Sequence, residues 1–277
     1  MSTFFPFEWD EVQKFVSATT GFNDHIFEKV EETDSTNSEL LRRASSGDIR
    51  KYILVADHQS EGRGQFDRKW FDVPKKSLLM SYTWDFTEEQ SKMFPATLIA
   101  GIAVSYSLAA FVHADIGDLW LKWPNDIMFQ DRKLGGILIE SIQTNRSSAS
   151  TAIIGIGLNI SDIPEIPEKE EASSLLPQIV TEASGISVPE IFCRIIYHWS
   201  ILSKLFKHKA ILVKKWEELA APFWKKELEI TAPAVGNNDE VFSAIPIGIT
   251  EDGALKVRLA NDSERLIISS KKIRIIR

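Results

Sequence analysis

Hydrophobic and polar positions change period several times along the chain, and each change predicts a new element. Ile26 to Glu31 alternates as a half-buried strand does, and Thr36 with Glu39 has capping-box spacing ahead of Leu40, Leu41 and Ala44. A strand feeding a helix is expected there. Tyr52 to Ala56 is a short aliphatic run that reads as a buried strand and ends at the polar, glycine-bearing loop Gln59 to Lys69. Leu78 to Trp84 is again strand-like, and Pro95 opens a helix whose apolar positions recur at Leu98, Ile102, Val104 and Leu108. Three short apolar runs follow, Leu119 to Trp123, Ile127 to Phe129 and Leu134 to Glu140, the last two joined by the turn signal Gln130-Asp131-Arg132-Lys133. Thr151 to Ile160 is a further strand.

Helical patterning returns from Pro189 to about Trp224, after Ser161 to Glu171, a stretch with two prolines and four glutamates that reads as an exposed loop. Beyond Leu228 the texture changes to short strands, Leu228 to Thr231, Val241 to Ile249, Ala254 to Leu259 and Arg265 to Ile268, with Asp252-Gly253 as a turn. Neighbouring strands with helices between only some of them suit an α+β fold, a mixed β-sheet covered mainly on one side. Two domains are expected, 1–227 with the larger sheet and 228–277 as a small SH3-like β-barrel. Such a barrel buries little apolar area alone and should lean on the larger domain.

Composition narrows the function. With 277 residues, 44% hydrophobic and 26% charged, the chain has the make-up of a folded protein. A formal net charge of −7, with no basic block, gives no field to attract nucleic acid. Cys193 is the single cysteine, so neither an internal disulfide nor a multi-cysteine zinc site is available. The start MSTFFPFEWDEVQ lacks the basic-then-apolar plan of a signal peptide, and no stretch reaches the length of a membrane span. A cytoplasmic location is expected.

Four segments carry chemistry: Asp34-Ser35-Thr36-Asn37; Gln59-Ser60-Glu61-Gly62-Arg63-Gly64; Lys122-Trp123-Pro124-Asn125-Asp126; and Gly155-Ile156-Gly157-Leu158-Asn159. Together with Gly135-Gly136-Ile137-Leu138-Ile139-Glu140, and in this order, they resemble the biotin–protein ligase family. Lys-Trp-Pro-Asn-Asp is the most specific of them, whereas Gly-Arg-Gly alone reads as a surface turn. The resemblance covers almost the whole chain. It implies a catalytic domain of the class II aminoacyl-tRNA synthetase-like kind, use of ATP with Mg²⁺, and formation of biotinyl-5′-AMP. The biotin would then pass to a lysine on the biotin carboxyl carrier domain of acetyl-CoA carboxylase or a related carboxylase. Members occur as dimers and as monomers, so a homodimer fits equally well. Substrate motifs beginning at Asp34 leave no room for an N-terminal helix-turn-helix, so no repressor role is expected.

The chemistry explains the residue types. An acyl adenylate forms when a carboxylate approaches the α-phosphate of ATP, two anions that repel unless cations and backbone N–H groups hold them. Arg63 and Lys122 are the expected cations and the catalytic candidates, although Lys122 by itself would be an ordinary lysine at a strand edge. Gly62 and Gly64 let the backbone approach a phosphate. By resemblance, Ser35, Thr36 and Gln59 hydrogen-bond the ureido head of biotin, and capping of the helix is compatible with the first two doing so. Gly136, Gly155 and Gly157 mark places where biotin or another chain segment passes close to the backbone. On the ATP side stand Gly64, Gln65, Arg68, Trp70, Asn125, Asp126 and Asn159, with Asp126 as a candidate Mg²⁺ ligand; an Asn-Asp turn is the plainer reading of 125 and 126. Trp70 and Trp123 are candidate apolar walls, though tryptophan in a sheet is commonly core.

The loop departs from the family pattern. Asp67 occupies a usual glycine position, and Gln65 stands where many members carry an arginine that helps retain the adenylate. Weaker retention, with some leakage of biotinyl-adenylate, is the expectation, unless Arg68 supplies the charge from a shifted position. Two alternatives remain: a lipoate–protein ligase, whose arginine-rich and triple-glycine signatures are absent, and a biotin-binding sensor that has lost catalysis.

Overall fold

The computed structural model describes residues 5, 8–48, 50–66, 68–86, 94–111, 118–142, 150–165, 187–233 and 239–276. Strands β1 (Ile26–Thr33), β2 (Tyr52–Gln59), β3 (Ser77–Phe86), β4 (Leu119–Lys122), β5 (Asp126–Phe129), β6 (Arg132–Ile142) and β7 (Ser150–Asn159) form one sheet in the order β1-β2-β3-β7-β6-β5-β4. The β1–β2 pair is parallel and the other pairs are antiparallel, so the sheet is mixed as expected. The parallel pair needs a crossover, which helix α2 (Thr36–Ser45) supplies. The β5–β6 hairpin turns at Gln130 and Asp131, both at positive φ (48° and 61°), which a two-residue turn of this hand requires.

The remaining helices are α1 (Val12–Ala18), α3 (Phe94–Ala109), α4 (Val188–Leu202) and α5 (Lys209–Leu219). Strand side chains alternate between faces, so Ile53, Val55, Leu78, Met80, Tyr82, Ile154 and Ile156 pack in one core with Leu98, Ile99 and Ile102 of α3 and Ile195, Ile196 and Trp199 of α4. On the opposite face Leu40 of α2 packs with Tyr52, Leu54 and Ile153 in a separate small cluster. One face is thus covered by helices, and the other by α2 over part of its area. The helical stretch from Pro189 is broken by 3₁₀ turns at Ser203–Leu205 and Phe223–Lys225. The start of α2 moves by one residue. Ser35, not Thr36, is the N-cap of α2, accepting from the Ser38 N–H, and Glu39 binds Arg42 and Arg43 instead of closing a capping box. Ser161 to Glu171 lies partly outside the described residues.

The C-terminal segment holds β8 (Leu228–Ala232), β9 (Glu240–Ile249), β10 (Leu255–Arg258), β11 (Glu264–Ile267) and β12 (Lys272–Ile275), an antiparallel sheet in the order β11-β10-β9-β8-β12. Its buried residues, among them Leu228, Ile230, Leu255 and Val257, belong to the same apolar core as the larger sheet. Polar contacts fix the joint. The Trp123 indole donates to the Gly253 carbonyl at 2.9 Å, Glu217 accepts from the Ile249 N–H at 3.0 Å, and Lys209 pairs with Asp252 at 2.9 Å. Gly248, at φ 148°, leaves room for Glu217, whose Oε1 stands 2.9 Å from where a Cβ would lie. Among the described residues no helix is long and apolar enough to cross a membrane.

Candidate functional site

Strand register builds the floor of a cavity on the α2 side of the sheet. Ser81 and Leu79 of β3 face Gly155 and Gly157 of β7, which in turn face Leu138 and Gly136 of β6. The two-residue period places all six on one face together with Glu140. Three of the six are glycines, so the floor is low in its middle. Two side chains from other elements come down onto it: a Cβ at Gly155 would overlap the Asn37 carboxamide, and one at Gly157 would lie 2.7 Å from the Trp70 ring.

One end of the cavity is polar and uncharged. Gln59 Oε1 accepts from the Thr36 N–H at 2.8 Å and from its hydroxyl at 3.0 Å. Ser81 Oγ is 2.6 Å from Thr36 Oγ1 and 2.5 Å from Asn37 Oδ1, and its single hydrogen serves one of them at a time. Asn37 then donates to Glu140 Oε2 at 2.8 Å, the same oxygen that pairs with Arg63 at 2.7 Å. A continuous polar chain therefore joins Gln59 to Arg63 across the floor. Asp34, beside the N-terminus of α2, is held well below the usual carboxylate range by its hydrogen bonds to Arg42.

The other end is cationic. Residues 62–64 and 68–70 pair with each other, with Trp70 N–H to Gly62 O at 2.8 Å and Gly64 N–H to Arg68 O at 2.7 Å. This places Arg63, Arg68, Lys69 and Trp70 along the cavity. The indole N–H of Trp70 is buried and has no hydrogen-bond partner among the described residues. Across from it, Asp126 lies between Lys133 (2.7 Å) and Lys122 (3.7 Å). Burial alone would raise its pKa, yet the two ammonium charges outweigh that and hold it ionised below its usual value.

Of the residues expected from sequence, Ser35, Thr36, Gln59, Arg63, Gly64, Gln65, Arg68, Trp70, Asn125, Gly136, Gly155 and Gly157 line this one cavity. Gly62 borders the adjoining hollow on the outer side of the loop. Lys122, Asp126 and Asn159 are not among the lining residues. Lys122 is turned to Asp126, and Asn159 sits at the end of β7 opposite Ser77. Asn125 ties the turn to β6 by donating to the Ile137 carbonyl at 2.6 Å. Gly155 makes room for Asn37, a protein group and not a ligand. Trp123 is fully buried and joins the two sheets, so Trp70 is the tryptophan at the cavity. Asp67 lies outside the described residues. As for metal, Asp126 is already shared by two lysines, and no group of three or more His, Cys, Asp or Glu is arranged for an ion among the described residues. That donor set does not fit a resident Mg²⁺ site.

Three residues that matter escaped the sequence reading of the site: Asn37, Glu140 and Lys133. Asn37 and Glu140 lay inside quoted motifs, but what joins them is a contact between positions 103 residues apart. Lys133 read as part of a hairpin turn, and only folding of β6 back on β5 brings it to the cavity.

Comparison with known proteins agrees with this arrangement. The biotin/lipoate A/B protein ligase family matches residues 30–159, the stretch that holds every cavity motif. A biotin–[acetyl-CoA-carboxylase] ligase of Mycobacterium tuberculosis is 31% identical over 207 residues, covering 73% of this chain and 70% of the relative. The bifunctional ligase/repressor BirA of Escherichia coli is 29% identical over 229 residues, which are 80% of this chain and 66% of that protein, just under two thirds of its length. Among solved structures, a biotin protein ligase from Aquifex aeolicus in complex with biotin and ATP aligns with a TM-score of 0.70 at 25% identity, over 90% of this chain and 98% of that one. A Leishmania major biotin protein ligase shares the fold, with a TM-score of 0.60 at 21% identity, over 88% of this chain and 98% of that one. The cavity motifs, the mixed sheet with its C-terminal antiparallel partner and these relatives together establish that the chain belongs to the biotin/lipoate A/B protein ligase family.

Proposed function

We propose that the protein condenses biotin with ATP to biotinyl-5′-AMP and then transfers the biotinyl group to a lysine of a biotin carboxyl carrier domain. The observation that carries this reading is the polarity of the cavity from end to end. A neutral hydrogen-bonding end at Ser35, Thr36 and Gln59 suits the ureido ring, whose carbonyl and two N–H groups need partners to offset their desolvation. Leu79, Leu138 and Trp70 line an apolar middle for the ring sulfur and valeryl chain, and Arg63, Arg68 and Lys133 supply the positive end for carboxylate and phosphates, with Lys122 joined to it through Asp126. Lipoate has no ureido group to satisfy the first of these, which favours biotin.

In the first half-reaction a biotin carboxylate oxygen attacks the α-phosphorus, and pyrophosphate leaves with the electron pair of the broken P–O bond. Arg63 and Lys122 offset the charge that builds between the two anions. For this Arg63 exchanges Glu140, and Lys122 exchanges Asp126, for the substrate. In the second half-reaction the acceptor amine attacks the acyl carbon, AMP departs with its electron pair and the amine loses a proton. Mg²⁺ would come with the phosphates of ATP and offset part of their charge. In this reading residues 228–277 form a small second domain that abuts the turn carrying Lys122 through the Trp123–Gly253 hydrogen bond.

Biotin-dependent exchange of radiolabelled pyrophosphate into ATP tests the reading, with lipoate as a parallel substrate. Exchange with biotin alone is expected. Exchange with lipoate would replace the substrate, and none with either, alongside measurable biotin binding, would leave a sensor.

A further inference from the structure

We propose that Lys133 binds the phosphates of ATP directly, as a second lysine beside Lys122, and that Asp126 holds its ammonium in place before the nucleotide arrives. The proposal rests on the acyl-adenylate reading above and specifies which cation meets the departing pyrophosphate. Lys133 follows the tight turn at Gln130 and Asp131, so the start of β6 aims its side chain back over the sheet. Its Nζ lies 2.7 Å from Asp126 Oδ1 and 5.8 Å from the centre of the Trp70 ring. It is also 3.6 Å from where a Cβ at Gly136 would stand, and that glycine leaves the ammonium open to the cavity floor.

Lys133 lines the cavity and Lys122 does not, and its side chain is 31% exposed against 16% for Lys122. An ammonium has three hydrogens, of which Asp126 Oδ1 takes one. Two remain, on an ammonium that lines the cavity near Trp70 and Gly136. Arg63 must first leave Glu140 to act, whereas Lys133 needs no exchange of partner. When the carboxylate–phosphorus bond forms and the α–β bridging P–O bond breaks, the bridging oxygen gains negative charge as pyrophosphate leaves, and a lysine at this place offsets it.

The test uses the full chain with Lys133→Ala, Lys133→Gln and Lys133→Arg, read by pyrophosphate exchange, by calorimetric titration with pyrophosphate and by biotin affinity. Removing a charged hydrogen-bond donor to phosphate should raise the KM for ATP or lower the exchange rate about tenfold to a hundredfold in the Ala and Gln variants. Pyrophosphate binding should weaken in parallel, biotin affinity should stay within about twofold, and Arg should restore most of the loss. Wild-type exchange and pyrophosphate binding in both neutral variants would overturn the proposal, as would a loss of biotin affinity equal to the loss for ATP, which marks a collapsed site. If the unmodified protein shows no biotin-dependent exchange, the acyl-adenylate reading fails separately. The pyrophosphate titration then decides Lys133 alone, with weaker binding in the neutral variants supporting it and unchanged binding refuting it.

Discussion

Gly155→Ala separates two reasons for a glycine on the floor of the cavity. Were the glycine there to let a ligand approach, alanine would leave the ligand-free protein intact and weaken only binding. The structure gives another reason: the added Cβ overlaps Asn37 Oδ1 and lies 2.9 Å from its Cγ, so the carboxamide must retreat by roughly half an ångström or more to reach ordinary contact. Asn37 is buried and is held by Ser81 at 2.5 Å and by Glu140 at 2.8 Å. Losing one neutral and one charge-assisted hydrogen bond, with Ser81 and the Asn37 amide left buried, costs about 2–4 kcal/mol. For a chain of this size that lowers Tm by roughly 3–7 °C. Differential scanning calorimetry of the ligand-free variant reads it, and biotin affinity should fall as well, because Thr36 and Gln59 share the polar chain with Asn37. A Tm within about 1 °C of the unmodified protein, at full calorimetric enthalpy, would refute the reasoning and return Gly155 to a role in ligand clearance.

Other expectations follow from the same geometry. Lys122→Ala should lower adenylate formation by about a hundredfold or more, measured by pyrophosphate exchange, since its charge acts on the transition state; a near-normal rate would leave Lys122 as a structural partner of Asp126. Gln65→Arg, which adds a cation beside Arg63 at the cavity, should slow release of biotinyl-adenylate severalfold when turnover is followed chromatographically without acceptor. Undetectable release from the unmodified protein would remove that idea. His25 is buried with Nε2 2.8 Å from the Thr83 carbonyl, and burial holds its pKa below the model-peptide value of 6.5. The unfolded chain therefore takes up this proton first, so stability is full above about pH 6.5 and falls as pH drops from there towards the depressed folded-state value. His25→Gln should flatten part of that slope in urea titrations between pH 7 and 5, and His198, also depressed by burial and by Arg194, should retain the rest. An unchanged slope would show that His25 is not the source.

Much of this protein was legible in its sequence because the signals are local. Apolar period and turn chemistry act within a few residues, so the strands of the larger sheet and α3 emerge close to their places, and the α+β class follows from their order. The motif from Asp34, the Gly62–Gly64 loop and the glycines of β6 and β7 likewise announce a site, since each needs a particular backbone. Some local signals misled by a single residue: Ser35 caps α2 because its side chain, and not that of Thr36, reaches the Ser38 N–H. Strand β12 escaped notice because only Ile273 of its four residues is buried, and its pattern shows only on pairing with β8. What tertiary structure alone decided is the set of partners. Sheet register sets Gly155 beneath Asn37, the fold of the loop sets Trp70 over Gly157, and the β5–β6 turn brings Lys133 to Asp126. It also divides two tryptophans of equal appearance, sending Trp123 to Gly253 at the joint of the sheets and Trp70 to the cavity. These are contacts between distant parts of the chain, fixed by strand register and packing, and neighbouring residues carry no record of them.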